Sequence, residues 1–113
     1  MITIIAGSRS CNDYEILVKA IQDSGFSITK IISGGAKGVD SLAIRYAFEH
    51  GIEYDIKTAD WDKYGKTAGP IRNSAMLNDA EALIALPTKD SKGTVDMIKK
   101  AERKGLFVYV KEI

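Results

Sequence analysis

The chain has too little of several residue types to support whole classes of chemistry. It contains one cysteine, Cys11, and one histidine, His50, in 113 residues. A single cysteine excludes a disulfide within the chain and fits a reducing compartment. Because no group of His, Cys and Asp residues has the spacing of metal ligands, we expect no bound metal and no thiol- or metal-based mechanism. Nothing in the sequence calls for a cofactor.

Long apolar runs and an excess of charge of one sign are also missing. The 16 basic and 15 acidic residues give a net charge of +1, which disfavours nucleic acid as a partner. The N-terminal residues lack the basic segment and apolar stretch of a signal peptide, and no run approaches membrane-spanning length. We therefore expect a cytoplasmic protein without a membrane partner. The length predicts a single domain, residues 1–113.

Short apolar segments alternate with helical patterns along the chain. Strands are predicted at residues 2–6, 28–32, 52–56, 82–86 and 106–110. Helices are predicted after an Asn12/Glu15 capping box and at residues 39–50, 70–78 and 93–104, while residues 58–67 are expected to be irregular. This alternation predicts an α/β fold, a single Rossmann-like doubly wound parallel five-stranded sheet with helices on both faces. The predicted strand order is 3-2-1-4-5, with the third strand at an edge.

The most informative stretch is SGGAKGVD, residues 33–40, between the second strand and the second helix. Its three glycines allow a sharp turn and a close backbone approach to a ligand. The N-terminus of the helix that follows favours an anion. The spacing fits neither the dinucleotide-binding G-x-G-x-x-G nor a Walker A loop. The stretch is typical of a phosphate-binding loop, and a tight turn without a ligand is the alternative.

Two further loops are expected to meet this one, because ligands of such sheets bind beyond the carboxyl ends of the strands where the winding reverses. They are residues 7–12 and 87–94, both rich in Gly, Ser, Thr and charge. Arg9 in the first has a planar fork that suits phosphate, with a surface ion pair as the alternative. Ser8 and Ser33 either donate to phosphate or satisfy the backbone of a turn.

Several segments resemble, in order, the small YspA-like proteins of phages and bacteria in the SLOG superfamily. They are GSR at 7–9, SGGAKGVD at 33–40, ADW at 59–61, YGK at 64–66, AGPIRN at 68–73 and SKGT at 91–94. This superfamily also holds the Smf/DprA DNA-processing proteins and the LOG phosphoribohydrolases. The resemblance implies a Rossmann-like domain that binds a nucleotide or a nucleotide-derived small molecule, and it implies no settled reaction.

Catalytic chemistry of the LOG type is not expected from this resemblance. Gly93 and Thr94 align with the glycine–threonine pair of the LOG signature, whose catalytic glutamate lies three residues further on. That position holds Met97, whose thioether cannot transfer a proton. Asp96 faces about 100° away on a helix and is a poor substitute. Arg72 resembles the arginine that LOG enzymes carry on the helix before the fourth strand.

The predicted ligand site combines these loops with aromatic and charged neighbours. Asp40 is interpreted either as an acceptor for ribose hydroxyls or as a helix N-terminal acid stabilised by the dipole alone. Trp61 either stacks on a base or anchors its loop to the core, and the second is slightly favoured. The ligand-binding residues are predicted to be Gly7, Ser8, Arg9, Ser33, Gly34, Gly35, Ala36, Gly38, Asp40, Trp61, Lys66, Arg72, Asn73, Gly93 and Thr94.

Three functions remain open. The leading one is a binding module for a phosphorylated nucleotide or nucleotide-derived ligand. The second is a nucleotide N-glycosidic hydrolase or phosphoribosyl-type enzyme, with Asp40 or Asp60 as the carboxylate. The third is single-stranded DNA binding of the DprA kind, which the near-neutral charge disfavours. A homodimer is also expected, because the aromatic side chains of Tyr46, Phe48, Tyr54 and Tyr64 exceed the needs of one small core.

Overall fold

A parallel sheet of five strands forms the centre of the molecule, in a computed structural model that describes all residues 1–113. The strand order is β3-β2-β1-β4-β5, which confirms the predicted order and the edge position of β3. Along the chain the elements are β1 (Ile2–Gly7), α1 (Tyr14–Ser24), β2 (Lys30–Ser33), α2 (Val39–Glu49), β3 (Glu53–Ile56), α3 (Trp61–Tyr64), a 3-10 turn (Gly65–Thr67), α4 (Ala68–Asp79), β4 (Ala82–Leu86), α5 (Lys92–Lys104) and β5 (Phe107–Val110).

Helices cover both faces of this sheet, because neighbouring strand residues point to opposite sides. Ile5 and Ile31 pack against the small and branched residues of α1 and α2. Ile4 and Ile32 point the other way and pack against α4 and α5. All five residues of β4 are buried, as expected for a strand enclosed by helices on both faces. The two cores on either side of the sheet fix its position relative to every helix.

Some boundaries differ from the sequence prediction. The N-cap of α1 is Asp13 and not Asn12, because the Asp13 carboxylate accepts the Glu15 backbone N–H at 3.1 Å. The predicted capping box was therefore wrong by one residue. Residues 58–67 are not wholly irregular, since Asp60 caps the four-residue α3 by accepting the Lys63 N–H at 3.1 Å. No helix has the length and apolar character needed to cross a bilayer.

The strand register brings three loops to one edge of the sheet. β1 and β4 pair in parallel as far as Gly7 and Leu86, and β2 ends at Ser33. The chain winds towards β3 on one side of β1 and towards β5 on the other, so β1 and β4 mark the reversal point. The loops that leave β1, β2 and β4 therefore open into the same cleft.

Candidate functional site

A cavity of about 490 Å³ lies where β1 and β4 end and the first turns of α2 and α5 begin. Only three of its 16 lining residues are hydrophobic, so the cavity is suited to a polar ligand. The lining consists of Ala6, Gly7, Ser8, Arg9, Ser10, Ala36, Asp40, Arg72, Asn73, Thr88, Asp90, Ser91, Lys92, Gly93, Thr94 and Met97.

The glycine-rich loop, residues 33–40, satisfies several of its own backbone groups. The Asp40 Oδ2 atom accepts the Ala36 N–H at 3.1 Å, and the Ser33 hydroxyl accepts the Gly35 N–H at 3.2 Å. The Val39 N–H, at the start of α2, donates to the Ser8 carbonyl at 3.0 Å. These three donors are therefore already bonded, whereas the N–H groups of Lys37, Gly38 and Asp40 have no acceptor within the chain.

Close packing explains two of the loop glycines. Gly38 has a φ of +75°, and a Cβ there would collide with the backbone of Ser8 and Arg9. Gly35 has a φ of +73°, and its Cβ would stand 2.6 Å from the Ile56 side chain. Both glycines join the loop to its neighbours, and neither lines the cavity.

Arg72 connects this loop to α4 at the wall of the cavity. Its Nη1 donates to the Gly34 carbonyl at 3.1 Å, and its Nε donates to Asn73 Oδ1 at 3.1 Å. Asn73 in turn donates through Nδ2 to the Gly93 carbonyl and to Asp96 Oδ2, both at 3.2 Å. This chain of bonds holds the half-buried guanidinium between the glycine-rich loop and α5.

Asp40 is the buried acid of the site, with a relative exposure of 6 %. Burial raises the pKa of its carboxyl group above the usual value, while the Ala36 N–H, Arg72 and Arg9 act in the opposite direction. Burial likewise lowers the pKa of the Arg72 guanidinium, which Asp40 opposes. The two groups compensate part of each other's desolvation at the cavity wall.

The N-terminus of α5 is open towards the cavity. Its N-cap, Ser91, makes no capping bond to the helix, because its hydroxyl instead accepts the Thr88 N–H at 3.0 Å. The backbone N–H groups of Gly93 and Thr94 lie in the first turn and have no acceptor within the chain. The Thr94 hydroxyl makes no hydrogen bond within the chain and opens into the cavity, although the residue as a whole is only 7 % exposed. Unsatisfied donors therefore gather at this helix end.

The structure brings together many of the residues that the sequence singled out. Those that line the cavity are Gly7, Ser8, Arg9, Ala36, Asp40, Arg72, Asn73, Gly93 and Thr94. Those that do not are Ser33, Gly34, Gly35, Gly38, Trp61 and Lys66. Trp61 is 52 % exposed and lies against Gly69 of α4, where a Cβ would be 3.4 Å from its ring. Lys66 is an exposed residue of the 3-10 turn.

The carboxylates considered for catalysis are placed differently from one another. Asp40 lines the cavity, whereas Asp60 is an exposed N-cap outside it. Asp96 is turned away and bonds Asn73 and Lys100, the latter at 3.0 Å. Met97, which the resemblance aligns with the LOG glutamate, is buried and forms part of the cavity lining.

Some lining residues were absent from the sequence-based set. They are Ala6, Ser10, Thr88, Asp90, Ser91, Lys92 and Met97. Most belong to the two loops that were expected to meet the glycine-rich loop, so the signal that could have found them was position at the carboxyl ends of β1 and β4. Their side-chain chemistry alone gave no such signal.

Comparison with known proteins identifies the family of this chain and a structure with the same fold. The model of the YAcAr family, described as the YspA, cpYpsA-related SLOG family, matches residues 1–64. The Gene 61 protein of Mycobacterium phage D29 is 30% identical over an alignment 115 residues long, gaps included. The alignment covers 93% of this chain and 91% of that protein.

A solved structure has the same fold. The DNA processing protein A (DprA) of Streptococcus pneumoniae superposes with a TM-score of 0.77 at 19% identity, over 96% of this chain. The match covers 49% of the DprA chain, about half of its length. It therefore shows that the two proteins share the fold of this α/β domain. The family match over more than half of the chain and the phage relative confirm the resemblance read from the sequence motifs. The chain belongs to the YspA, cpYpsA-related SLOG family.

Proposed function

We propose that this protein binds a phosphorylated nucleotide or nucleotide-derived ligand, with a phosphate at the N-terminus of α5. The observation that carries the proposal is the Thr94 hydroxyl, which lines the cavity without a hydrogen bond in the chain, beside the free N–H groups of Gly93 and Thr94. N–H groups in the first turn of a helix lack an acceptor within the helix and are available to a ligand. A phosphate oxygen would supply the acceptor that these donors lack, and the dipole of α5 would favour its negative charge.

Two arginines add positive charge around the same space. Arg9 is exposed and makes no ion pair or side-chain hydrogen bond within the chain, and it lines the cavity. Arg72 uses Nε and Nη1 within the protein and keeps further N–H donors on its guanidinium. Charge-assisted bonds from such groups to phosphate are about twice as strong as neutral ones.

The remainder of the cavity suits the sugar and base of a nucleotide. Its volume of about 490 Å³ falls within the range of about 300–1,000 Å³ that is usual for small-molecule sites. Asp40 presents a carboxylate acceptor to this space, which suits ribose hydroxyl groups. Ala6 and Met97 supply the apolar part of the lining against which a ring can pack.

Binding without reaction is favoured over hydrolysis. An acid–base mechanism at a glycosidic bond needs a carboxyl group within hydrogen-bond reach of the sugar. Met97 occupies the position of the LOG glutamate, and Asp96 is engaged with Asn73 and Lys100. Burial raises the pKa of Asp40, which would suit a proton donor, but its Oδ2 atom is already occupied by the Ala36 N–H at 3.1 Å.

Binding of single-stranded DNA is the competing proposal, since the DprA relative in fold is described as a DNA processing protein. The net charge of +1 argues against it, because proteins that follow a phosphate backbone usually carry a basic stripe. The salt dependence of the affinity distinguishes binding of DNA from binding of a single nucleotide. Affinity for DNA should fall steeply between low and physiological salt, whereas affinity for one nucleotide should fall much less.

A thermal-shift screen with inorganic phosphate, nucleoside mono- and diphosphates and ADP-ribose tests the proposal. We expect at least one nucleotide to raise the melting temperature of the wild type and to be recovered intact afterwards. Thr94→Val keeps the side-chain shape and removes the hydroxyl, so it should weaken binding by about 1 kcal/mol, roughly fivefold. Thr29→Val, at an exposed threonine before β2, is the matched control. A Thr94→Val protein with the full ligand-induced shift would contradict the proposed phosphate position.

A further inference from the structure

The outer side of β3 has no neighbouring strand. The Lys57 N–H donates to the Ser33 carbonyl at 2.8 Å, which extends the ladder with β2 by one residue. Alternate residues of a parallel strand direct their backbone groups to the same neighbour. Glu53, Asp55 and Lys57 therefore bond towards β2, and Tyr54 and Ile56 direct their N–H and C=O groups outwards. An edge of this kind is a template for another strand.

Exposed apolar side chains accompany this free edge. Tyr54 is 39 % exposed and Ile56 is 47 % exposed. On α2, Arg45 lies over the Tyr14 ring of α1 on one flank, at 3.9 Å. The helix α2 also packs against β3. Phe48, near the C-terminal end of α2, is 79 % exposed, so this helix carries a further exposed aromatic side chain.

We propose that β3 pairs antiparallel with β3 of a second copy of this chain, about a two-fold axis through Asp55. In that register Tyr54 lies opposite the partner subunit's Ile56, and Ile56 lies opposite the partner subunit's Tyr54. These are the residues whose backbone groups point outwards, so each pair exchanges both of its N–H···O bonds. The result is one continuous sheet across the two subunits, with an isologous interface.

The side chains of β3 are complementary to themselves in this register. Glu53 lies opposite the partner subunit's Lys57, which places opposite charges across the interface on both sides of the axis. Within each chain the Lys57 ammonium also lies 3.9 Å from Asp79 Oδ2, at the limit of an ion pair. The Asp55 residues meet at the axis, but each is already paired with its own Lys30 at 2.8 Å. On the other face, Tyr54 and Ile56 form aromatic–β-branched pairs.

The opposite edge of the sheet lacks this complementarity. In β5 the Lys111 N–H donates to the Ala85 carbonyl at 2.9 Å, so Val108 and Val110 direct their backbone groups outwards. Pairing of β5 with its own copy would set Phe107 opposite the partner subunit's Lys111, without an opposite charge. The second copy is therefore assigned to β3.

Charge reversal tests this interface by sedimentation equilibrium. We expect a wild-type dimer, and Glu53→Lys or Lys57→Glu should each raise its dissociation constant about tenfold, because two attractive pairs become repulsive. The double variant Glu53→Lys/Lys57→Glu restores opposite charges and should return to within about twofold of the wild type. Lys111→Glu on β5 is the control and should leave the constant unchanged. A wild-type monomer at about 200 µM, or a double variant as weak as either single one, would overturn the proposal.

A disulfide tests the register itself, in a Cys11→Ser background. Across an antiparallel non-hydrogen-bonded pair the Cα atoms are about 4.5 Å apart, within the disulfide range of about 4.4–6.8 Å. Asp55→Cys should therefore form a covalent dimer under mild oxidation. Glu53→Cys is the control, because its copies would be roughly 14 Å apart along the strands. Failure of Asp55→Cys to cross-link, or equal cross-linking of both variants, would refute pairing about Asp55.

Discussion

Replacing Arg72 by lysine separates the positive charge at the cavity wall from the geometry of the guanidinium. Arg72 bonds the carbonyl of the buried Gly34 through Nη1 and the Asn73 side chain through Nε, both at 3.1 Å. A single ammonium group cannot reproduce this fork. In Arg72→Lys the Gly34 carbonyl loses a charged donor, which costs about 1.5–3 kcal/mol when nothing replaces it.

Part of this loss is offset, because the lysine ammonium can still donate to one of the two acceptors. We therefore expect the free energy of unfolding to fall by about 1–2 kcal/mol. Urea unfolding followed by circular dichroism should show a midpoint lower by about 1 M. Binding of the nucleotide found in the thermal-shift screen should also weaken, by roughly tenfold, because bidentate contact with phosphate is lost.

The control is Arg103→Lys, at an exposed arginine near the end of α5 that makes no side-chain bond in the protein. It should leave both the urea midpoint and the affinity unchanged. An Arg72→Lys protein that unfolds at the wild-type midpoint would refute the role of the Gly34 bond. A lower midpoint with unchanged affinity would show that Arg72 supports the loop without touching the ligand.

Two further predictions concern the loop and its acid. Gly38→Ala should destabilise the fold by several kcal/mol in urea unfolding, because its Cβ meets the backbone of the β1–α1 loop at a positive φ. Gly25→Ala also has a positive φ but open space around it, and should cost only about 1 kcal/mol. Above pH 3.8 the folded protein holds the Asp40 proton more tightly than the unfolded chain, so the contribution of Asp40 to stability falls as pH rises towards its raised pKa. Asp40→Asn should remove that fall, and urea titrations across the acid range that show the wild-type slope in Asp40→Asn would contradict it.

The sheet and the position of the cavity were predictable because both follow from the alternation of strand and helix patterns along the chain. Apolar segments that alternate with helical patterns leave few parallel topologies, and the carboxyl ends of β1 and β4 then become the place for a ligand. The capping residue of α1 was less certain, since Asn12 and Asp13 are adjacent and both can cap a helix. The four-residue α3 is too short to show the periodic spacing of apolar residues by which a helix is recognised in a sequence.

The chemistry within the site depended on contacts that no local pattern encodes. The glycine-rich loop looks open in sequence, but Asp40 folds back to bond the Ala36 N–H and so closes part of it. The last helix is predicted from residue 93, but α5 begins at Lys92, and the hydroxyl of its N-cap, Ser91, bonds the Thr88 N–H and leaves the helix end free. Both outcomes are set by which donor lies nearest once the strands are in register. The sequence identified the loops, and tertiary contacts decided which N–H groups in them are bonded within the chain.

The most direct test of the proposed function is an amide chemical-shift titration of the labelled protein with a mixture of nucleoside monophosphates. If the phosphate lies at the N-terminus of α5, the Gly93 and Thr94 amide resonances should move most and should saturate. The amides of Gly35 and Ala36, which are already bonded within the loop, should move less. Saturating shifts centred on the glycine-rich loop, or no shifts in the cavity at millimolar nucleotide, would contradict the account.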